Sequence, residues 1–362
     1  MSRRFDIAVL GAGMAGASLA AAVGEAARLV LIEAEAHPGY HSTGRSAAFW
    51  SESYGGPFVQ PLTTASEPFL RAQGFLKPRG GLHLAHETAA LAALAAEHAG
   101  KVRLEPLGRA EIEARVPGVL PGWDAALYEP TCTDIDVAGL HAFYLAAARR
   151  AGAELLTKAA LRAARREGGV WRLETAAGEV EAEVLVDAAG AWADAVAEIA
   201  GVRPLGIRPY RRTVAQLRVD PPAPADLPLV MDAAETFYFK PEAGGRIWLT
   251  PQDETPCAAG DCAAEELDIA VAIDRLEKVV DWKVLRVERA WAGLRSFAPD
   301  RLPVYGFDPR EAAFFWCAGQ GGFGIQTAPA GADLAAALLL GREAASPAAG
   351  IDASAYSPAR FG

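Results

Sequence analysis

Three glycines near the N-terminus are spaced to bind the pyrophosphate of a dinucleotide. The motif Gly11-Ala12-Gly13-Met14-Ala15-Gly16 follows a short apolar run and precedes an Ala/Leu-rich stretch. In such a turn Gly11 allows a tight bend, Gly13 lets the backbone approach phosphate, and Gly16 lets helix and strand pack closely. Glu33 ends the next apolar run, about 20 residues on, where its carboxylate can accept hydrogen bonds from both ribose hydroxyls. The spacing predicts a site for NAD or FAD, and the carboxylate would repel the 2′-phosphate of NADP.

A hydroxyl-rich segment follows this unit. His41-Ser42-Thr43-Gly44-Arg45-Ser46-Ala47-Ala48 has small residues, one cation and no helical or strand period. One interpretation is a plain surface loop. The other is a loop along the cofactor, because it follows Glu33 so closely that its hydroxyls and Arg45 can reach phosphate or flavin oxygens.

A second glycine-rich turn lies near the C-terminus. Gly319 to Thr327 connects the strand-like run 313–318 to an Ala/Leu-rich helix. Two-electron reduction places negative charge on the N1–C2=O edge of a flavin, and a helix N-terminus is a suitable counter-pole. A connection without any ligand is the alternative. If both turns bind the cofactor, FAD fits better than NAD.

Several elements must position these turns. Buried strands are predicted for the apolar runs 6–10, 29–32 and 184–187, with a helix over 17–23. Asp134-Ile135-Asp136 can cap an amphipathic helix that carries Val137, Leu140, Phe143 and Tyr144 and stops at Gly152. The middle of the chain instead shows strand-like runs at 235–240 and 246–249 around Gly244-Gly245, which is a hairpin signal.

Composition bounds the possible classes of protein. The chain has 362 residues, of which 51% are apolar and 22% charged, as expected for a globular protein with a large core. The net charge of −10, without any block of basic residues, argues against nucleic-acid or anionic-membrane partners. No apolar stretch reaches the roughly 20 residues of a membrane span, and no signal peptide is recognisable, so a cytoplasmic location is expected. The four cysteines lack CxxC spacing and are expected to be reduced and structural, and the histidines suggest no metal site.

Five separated segments together resemble the D-amino-acid oxidase superfamily of FAD enzymes. They are the Gly11 motif with Glu33, the 41–48 segment, Val186–Trp192, Gly293–Phe297 and Gly319–Thr327, in one order over essentially the whole chain. Within this superfamily, the resemblance is strongest to the bacterial D-arginine dehydrogenases. It implies an α/β protein in which a Rossmann-like FAD-binding domain (1–50, 135–205 and 300–362) is interleaved with a mixed-sheet substrate domain (51–134 and 206–299).

The resemblance also implies roles for particular residues. FAD would be bound non-covalently by residues of all three FAD segments: Gly11, Gly13, Ala15, Gly16, Glu33, Ser42, Thr43, Arg45, Ser46, Ala47, Ala189, Gly190, Trp192, Gly321, Gly322, Gly324, Ile325, Gln326 and Thr327. The substrate carboxylate would be held by Arg212 and Arg295, since guanidinium forks bind carboxylates bidentately. Tyr238 and Tyr54 would lie near the substrate, where their phenols donate to the carboxylate or close the roof of the pocket. Arg295 lies in the apolar stretch 291–298, where an unpaired cation would be costly. No side chain is assigned as acid or base.

The implied reaction is oxidation of the α-carbon of a D-amino acid to the imino acid, with oxygen or a quinone as acceptor. The family's arginine-binding glutamate would fall within Arg79-Gly80-Gly81-Leu82, which contains no acid. Apolar neighbours such as Phe49, Trp50 and Trp248 would also favour neutral side chains. Glycine, secondary amines such as sarcosine, or a 2-hydroxy acid are alternative substrates. A non-catalytic flavin-binding subunit is the alternative from another class.

Overall fold

A computed structural model describes residues 3–362 of the chain. Eight α-helices are found in this part: α1 Met14–Val23, α2 Gln60–Ala72, α3 Thr88–Glu97, α4 Arg109–Arg115, α5 Val137–Arg150, α6 Ala193–Ile199, α7 Glu266–Glu277 and α8 Ala328–Leu340. Within residues 3–362, no helix is both long enough and apolar enough to cross a membrane.

The strands of the same part of the chain fall into three sheets. Strands of the N-terminal half are β1 Arg3–Leu10, β2 Leu29–Ile32, β3 Phe49–Trp50, β4 Leu76–Pro78, β5 Gly81–Ala85, β6 Glu105–Gly108, β7 Ala125–Glu129, β8 Thr133–Ile135, β9 Glu154–Leu156, β10 Leu161–Glu167, β11 Val170–Thr175 and β12 Gly178–Asp187. Those of the C-terminal half are β13 Arg208–Asp220, β14 Leu229–Asp232, β15 Tyr238–Glu242, β16 Arg246–Thr250, β17 Thr255–Pro256, β18 Lys283–Phe297, β19 Val304–Phe307, β20 Phe314–Ala318 and β21 Gln320–Gly321.

The first sheet is built around parallel strands in the order β20-β12-β1-β2-β9, extended by the antiparallel strands β10, β11 and β19. In this register Leu10 at the end of β1 pairs with both Asp187 of β12 and Ile32 of β2. The carboxyl ends of three strands therefore meet at one edge, which is where ligands bind in sheets of this kind. The Gly11 motif, Glu33 and the turn after Asp187 all lie at this edge.

Both faces of the first sheet are buried, as the continuous apolar runs of its strands predict. Ile7 and Val9 of β1 pack with α1 and α8 in one core, whereas Phe5 and Ala8 pack on the other face with Trp171. Helix α1 lies against α5 and α8. This two-sided burial fixes the N-terminus of α1 at the strand ends.

The second sheet has the order β21-β18-β13-β16-β15-β14-β5-β7-β6, with β17 beside β13. Its long pair β13 and β18 is antiparallel, with Arg212 opposite Gly293 and Tyr210 opposite Arg295. The pairing of β18 with β21 joins the second sheet to the C-terminal glycine-rich turn. A small third sheet, β3-β8-β4, lies beside them.

The predicted fold class is confirmed, and most of the predicted elements form. Asp136 caps α5 by accepting a hydrogen bond from the Gly139 amide at 2.9 Å. The hairpin around Gly244-Gly245 forms from β15 and β16. The first of its predicted strands was placed three residues early, because Glu235 has a left-handed φ of 58° that a continuing strand does not permit. The domain bounds stay a prediction, supported by the first sheet drawing its strands from 3–32, 154–187 and 304–318.

Candidate active site

One long cavity, of about 380 Å³, connects the carboxyl edge of the first sheet to the second sheet. At one end it is lined by the Gly11 turn and Glu33, and at the other by Arg212, Tyr238 and Arg295. Most of the residues predicted to contact the cofactor line it: Gly11, Gly13, Ala15, Glu33, Ser42, Thr43, Arg45, Ser46, Ala47, Ala189, Gly190, Trp192, Gly321, Gly322, Gly324 and Ile325. The structure thus brings together residues as far apart in the chain as Gly11 and Ile325.

The Gly11 motif has the close approaches that its sequence predicts. Gly11 has a φ of +94°, and a Cβ there would lie 2.5 Å from the carbonyl oxygen of Ala188. A Cβ on Gly16 would lie 1.9 Å from the carbonyl oxygen of Gly11, so this glycine serves the packing of helix against turn and does not line the cavity. Side chains at either position would push the strand ends apart.

Glu33 is buried, and both of its carboxylate oxygens are fixed by backbone amides. Oε2 accepts from the Ala12 amide and Oε1 from the Glu35 amide, each at 2.9 Å. Because each carboxylate oxygen has two lone pairs, Glu33 can still accept hydrogen bonds from a ribose. The backbone contacts orient it toward the cavity before any ligand binds.

The hydroxyl-rich segment lies along the cavity and is hydrogen bonded to helix α1 and to the second sheet. Thr43 Oγ1 accepts from the Met14 amide at 3.0 Å and so caps α1, while Ser42 donates to the Leu294 carbonyl at 2.6 Å. Arg45 donates to the carbonyl oxygens of Cys262 and Ala292 and forms an ion pair with Asp261. The Arg45 cation is therefore partly neutralised by Asp261, in the loop between β17 and α7, a contact that the sequence did not predict.

The C-terminal turn divides into cavity-lining and structural positions. A Cβ on Gly322 would lie 2.7 Å from Nη1 of Arg295, so this glycine leaves room for the guanidinium. Gln326 and Thr327 do not line the cavity. The Gln326 amide donates to the Tyr54 carbonyl and to Thr63, and the Thr327 hydroxyl donates to the Phe323 carbonyl at 2.9 Å. Both residues support the turn, and their prediction as cofactor contacts is not supported by this arrangement.

Arg295 differs from the other cations of the cavity because it lacks an acidic partner. Among residues 3–362, its guanidinium forms no ion pair, and its hydrogen bond is to the Tyr54 hydroxyl. Tyr54 itself packs against Phe323 and does not line the cavity. A half-buried guanidinium in such surroundings has the charge and the free donors to bind an anion.

Arg212 lies nearby, but its guanidinium is already hydrogen bonded to the segment 252–254 between β16 and β17. Its guanidinium donates to the Asp253 carbonyl at 2.9 Å, to Gln252 at 3.3 Å and to the Glu254 carboxylate at 3.1 Å. Burial, and then the positive charge of Arg295, lower the pKa of Arg212, although a guanidinium stays protonated. Arg212 thus contributes positive charge beside Arg295, with fewer donors free for a substrate.

Arg211, the neighbour of Arg212, does not face solvent as paired strand residues often do. It is buried on the opposite face of β13, where Glu265, Asp268 and Asp253 surround it. Because β-strand side chains alternate, this acidic cluster fixes which of the two arginines reaches the cavity.

An aromatic and apolar wall packs at the Arg295 end of the cavity, and Tyr238 is the member of it that lines the cavity. Tyr238 is fully buried, and burial raises its pKa, so it is a neutral phenol that can donate a hydrogen bond. Phe49 packs edge-on against Tyr238 at 5.5 Å between ring centroids and against Tyr54 at 5.0 Å. Cys132, Leu229 and Met231 complete this cluster.

Two of the aromatic residues expected near the substrate lie elsewhere. Trp50 is buried in another cluster, where its indole donates to the Thr63 carbonyl at 2.9 Å. Trp248 packs against Trp291 at 5.3 Å and does not line the cavity. Phe49 does not line the cavity either, but it is the one of the three that packs against Tyr238 and Tyr54. Phe323 is a further aromatic neighbour of Tyr54, which the sequence did not reveal.

Comparisons with known proteins agree with this geometry. Residues 6–338 match the model of the DAO family, described as FAD dependent oxidoreductase. The chain belongs to this family of FAD-dependent oxidoreductases. A glycine oxidase of Bacillus licheniformis is 24% identical over 368 residues, which cover 94% of each chain. Among solved structures, the glycine oxidase of Geobacillus kaustophilus has a TM-score of 0.84 at 23% identity and 98% coverage of both chains. The L-proline dehydrogenase of P. horikoshii has a TM-score of 0.85 at 20% identity, with 100% of this chain and 98% of that chain covered.

These relatives confirm the superfamily and the FAD cofactor that the sequence predicted. The narrower resemblance to D-arginine dehydrogenases stays a prediction. The residues of this DAO-family chain also fit FAD: the glycines at the strand edge keep the backbone bare, and the cavity continues far enough to reach Arg295. When bound, FAD would supply a two-electron acceptor in this cavity.

Non-covalent binding of FAD gives a direct prediction. A covalent link to FAD would need a nucleophilic side chain in the cavity. The cavity-lining residues include no cysteine, Tyr238 is the tyrosine at the Arg295 end, and His41 is hydrogen bonded to Glu35 at 3.0 Å. Acid precipitation of the yellow protein is therefore expected to release intact FAD into the supernatant. Colour that stays in the precipitate would contradict this expectation.

Asp187, at the end of β12, is a buried carboxyl that the sequence did not single out. Its Oδ1 accepts from the Ala189 amide at 3.0 Å, and its Oδ2 has no partner among the described residues. Burial raises the pKa of Asp187 to about 8. The carboxyl is therefore neutral at pH 7 in the folded protein, directly before the cavity-lining residues Ala188 and Ala189.

Replacing Asp187 with asparagine is expected to change how stability depends on pH. Between about pH 4 and pH 8 the folded protein keeps a proton that the unfolded chain has released, so the free energy of unfolding falls as the pH rises. The amide cannot ionise, and it preserves the acceptor for Ala189. One pKa unit corresponds to about 1.4 kcal/mol. The free energy of unfolding of Asp187→Asn should therefore exceed that of the parent protein by several kcal/mol at pH 8 and by little at pH 4. Denaturant unfolding at four pH values, at saturating FAD, measures this difference, and a constant offset would contradict it.

Proposed function

We propose that this chain oxidises the α-carbon of a small uncharged amino acid, either glycine or a D-amino acid with a short neutral side chain, to the imino acid. The unpaired Arg295 guanidinium, facing the cavity beside Tyr238 and Tyr54, carries this proposal. The amino-acid chemistry is supported by the family, and the small substrate by the glycine oxidases among its relatives.

In this proposal Arg295 binds the substrate carboxylate and so fixes one end of the molecule. Tyr238 donates a hydrogen bond as a neutral phenol, and the Tyr54 hydroxyl orients the guanidinium. Arg212 adds positive charge without a direct contact being required. A carboxylate held in this way would restrict the orientations that the α-carbon can adopt beside the cofactor.

The described residues that line the cavity include no general base near Arg295. Among the residues that line the cavity, the carboxylates and the histidine are Glu33, Glu35 and His41, which lie with the Gly11 turn. The amine of the substrate therefore loses its proton to solvent before the α-hydrogen leaves. The protein's own contribution is to bind the carboxylate, to exclude water with the aromatic wall, and to hold the orientation.

Anaerobic bleaching of the flavin tests the proposal. Glycine, sarcosine, D-alanine and L-alanine are added separately to the yellow holoenzyme under argon, and the absorbance of the oxidised flavin is followed. We expect bleaching by glycine or D-alanine and not by L-alanine. Readmission of air then shows whether oxygen reoxidises the flavin or a quinone is needed. Absence of bleaching by every amine tested would favour a flavin-binding subunit without turnover.

A further inference from the structure

Two cysteines lie together on the loop that binds Arg45. The Sγ atoms of Cys257 and Cys262 are 3.5 Å apart, and both residues are partly exposed. The other two cysteines, Cys132 and Cys317, are buried. The sequence suggested only unpaired structural thiols, because four residues separate the pair and no CxxC motif marks it.

We propose that Cys257 and Cys262 form a redox-responsive dithiol, which a hydroperoxide oxidises reversibly to a disulfide that alters the hold on Arg45. Burial and the neighbouring Cys257 raise the pKa of Cys262 to about 11, so Cys262 is a thiol at neutral pH. The Cys257 sulfur attacks the peroxide and becomes a sulfenic acid, with release of water. The Cys262 sulfur then attacks that sulfur, and a second water leaves. Two thiols are oxidised and one hydrogen peroxide is reduced to two waters.

The two cysteines differ in how firmly they are held. The Cys257 amide donates to the Pro209 carbonyl at 3.1 Å, and Pro256 pairs with Tyr210 of β13. Cys262 lies at the far end of the turn, beside the exposed Asp261. A disulfide needs the sulfurs about 2.0 Å apart, so closure from 3.5 Å moves the Cys262 segment rather than β13.

That moving segment carries most of the contacts of Arg45. The guanidinium is bound by the Asp261 carboxylate and by the Cys262 carbonyl at 3.2 Å, and Asp261 also accepts from Tyr40 at 3.0 Å. Arg45 in turn lines the cofactor cavity. Oxidation therefore changes the position or the charge compensation of a cation beside the FAD site.

Mass spectrometry of the intact holoenzyme tests the disulfide. Reduced, desalted protein is treated with a small excess of hydrogen peroxide and then with dithiothreitol. We expect a loss of about 2 Da, mapped to one peptide that contains both residues, and its reversal by the thiol. The variants Cys257→Ser and Cys262→Ser should each abolish the loss. Gain of oxygen without a disulfide, or a disulfide that includes Cys132 or Cys317, would overturn the proposal.

The dissociation rate of FAD tests the connection to Arg45. We expect the rate to change about threefold or more on oxidation and to return after reduction. Asp261→Asn removes the exposed carboxylate from Arg45. In this variant, the FAD dissociation rates of the oxidised and reduced forms should differ less than in the parent protein. Equal rates in the two forms of the parent protein would overturn the connection to the cofactor site.

Discussion

Replacement of Arg295 with leucine is expected to weaken binding of the amino-acid substrate by about 2–5 kcal/mol, a decrease of roughly 30- to 4000-fold in kcat/KM. In residues 3–362, the Arg295 guanidinium has a tyrosine hydroxyl as its hydrogen-bond partner and no carboxylate. The substrate carboxylate is then its natural anion, and in the variant that carboxylate would enter the cavity unpaired. Steady-state kinetics with glycine and D-alanine measure the effect.

A matched variant separates this role from an effect on folding. Arg289 lies on the same strand, β18, but is exposed. Arg289→Leu should leave both kcat/KM and FAD content close to those of the parent protein. The ratio of flavin to protein absorbance should also be unchanged in Arg295→Leu. Loss of FAD from Arg295→Leu alone would show that this residue serves the cofactor or the fold, which would contradict the proposed role.

Arg212→Leu is expected to have the smaller effect of the two arginine replacements, for a structural reason. Three of its contacts go to residues 252–254, and one of these is the Glu254 carboxylate. Glu254 also accepts from Arg301, so the cation is part of a network rather than a lone charge. Removal of Arg212 lowers the positive potential at Arg295 without removing the main carboxylate contact.

Features that depend on local spacing were predictable from the sequence. The Gly11 turn needs glycine at fixed positions because neighbouring backbone comes within 3 Å, and that need is visible in the letters themselves. The ends of β2 and the cap of α5 at Asp136 follow in the same way from apolar runs and side-chain chemistry. The resemblance to a family then ordered distant segments that spacing alone cannot join.

Contacts between distant segments were not predictable in the same way. The ion pair of Arg45 with Asp261 spans 216 residues, and the hydrogen bond of Arg295 to Tyr54 spans 241. Gln326 shows the converse, since it lies in a cofactor-like turn but its amide is used by Tyr54 and Thr63. Which face of a turn meets the ligand depends on how distant elements pack against it. The local sequence of the turn does not contain that information.

The charge of the substrate side chain is expected to have the other large effect, on kcat/KM. The position expected to hold an acid for arginine falls within Arg79–Leu82, and Arg79 itself is bound to Asp134 at 2.7 Å. Lys240 shares the same carboxylate at 2.9 Å. Two cations and one carboxylate leave this neighbourhood without a free negative charge, so it offers no partner for a guanidinium.

Two other acids, Glu52 and Glu129, are also engaged in hydrogen bonds. Glu52 accepts from the hydroxyls of Thr64 at 2.7 Å and Thr131 at 3.2 Å. Glu129 is fully buried and accepts from Ser51 and Ser53 at 2.8 and 2.6 Å. A charged substrate side chain would have to break one of these sets of hydrogen bonds to gain a partner.

We therefore expect glycine and D-alanine to exceed D-arginine in kcat/KM by about 100-fold or more, because a guanidinium buried without a partner loses several kcal/mol of solvation. D-methionine is the matched control, since it is long but uncharged. If D-methionine is also poor, the aromatic wall of Phe49 and Tyr238 excludes side chains by size. If D-methionine is good and D-arginine poor, charge decides. A kcat/KM for D-arginine higher than for every neutral substrate, by about tenfold or more, would contradict the expectation and point to Glu52, whose hydroxyl partners would then have to release it.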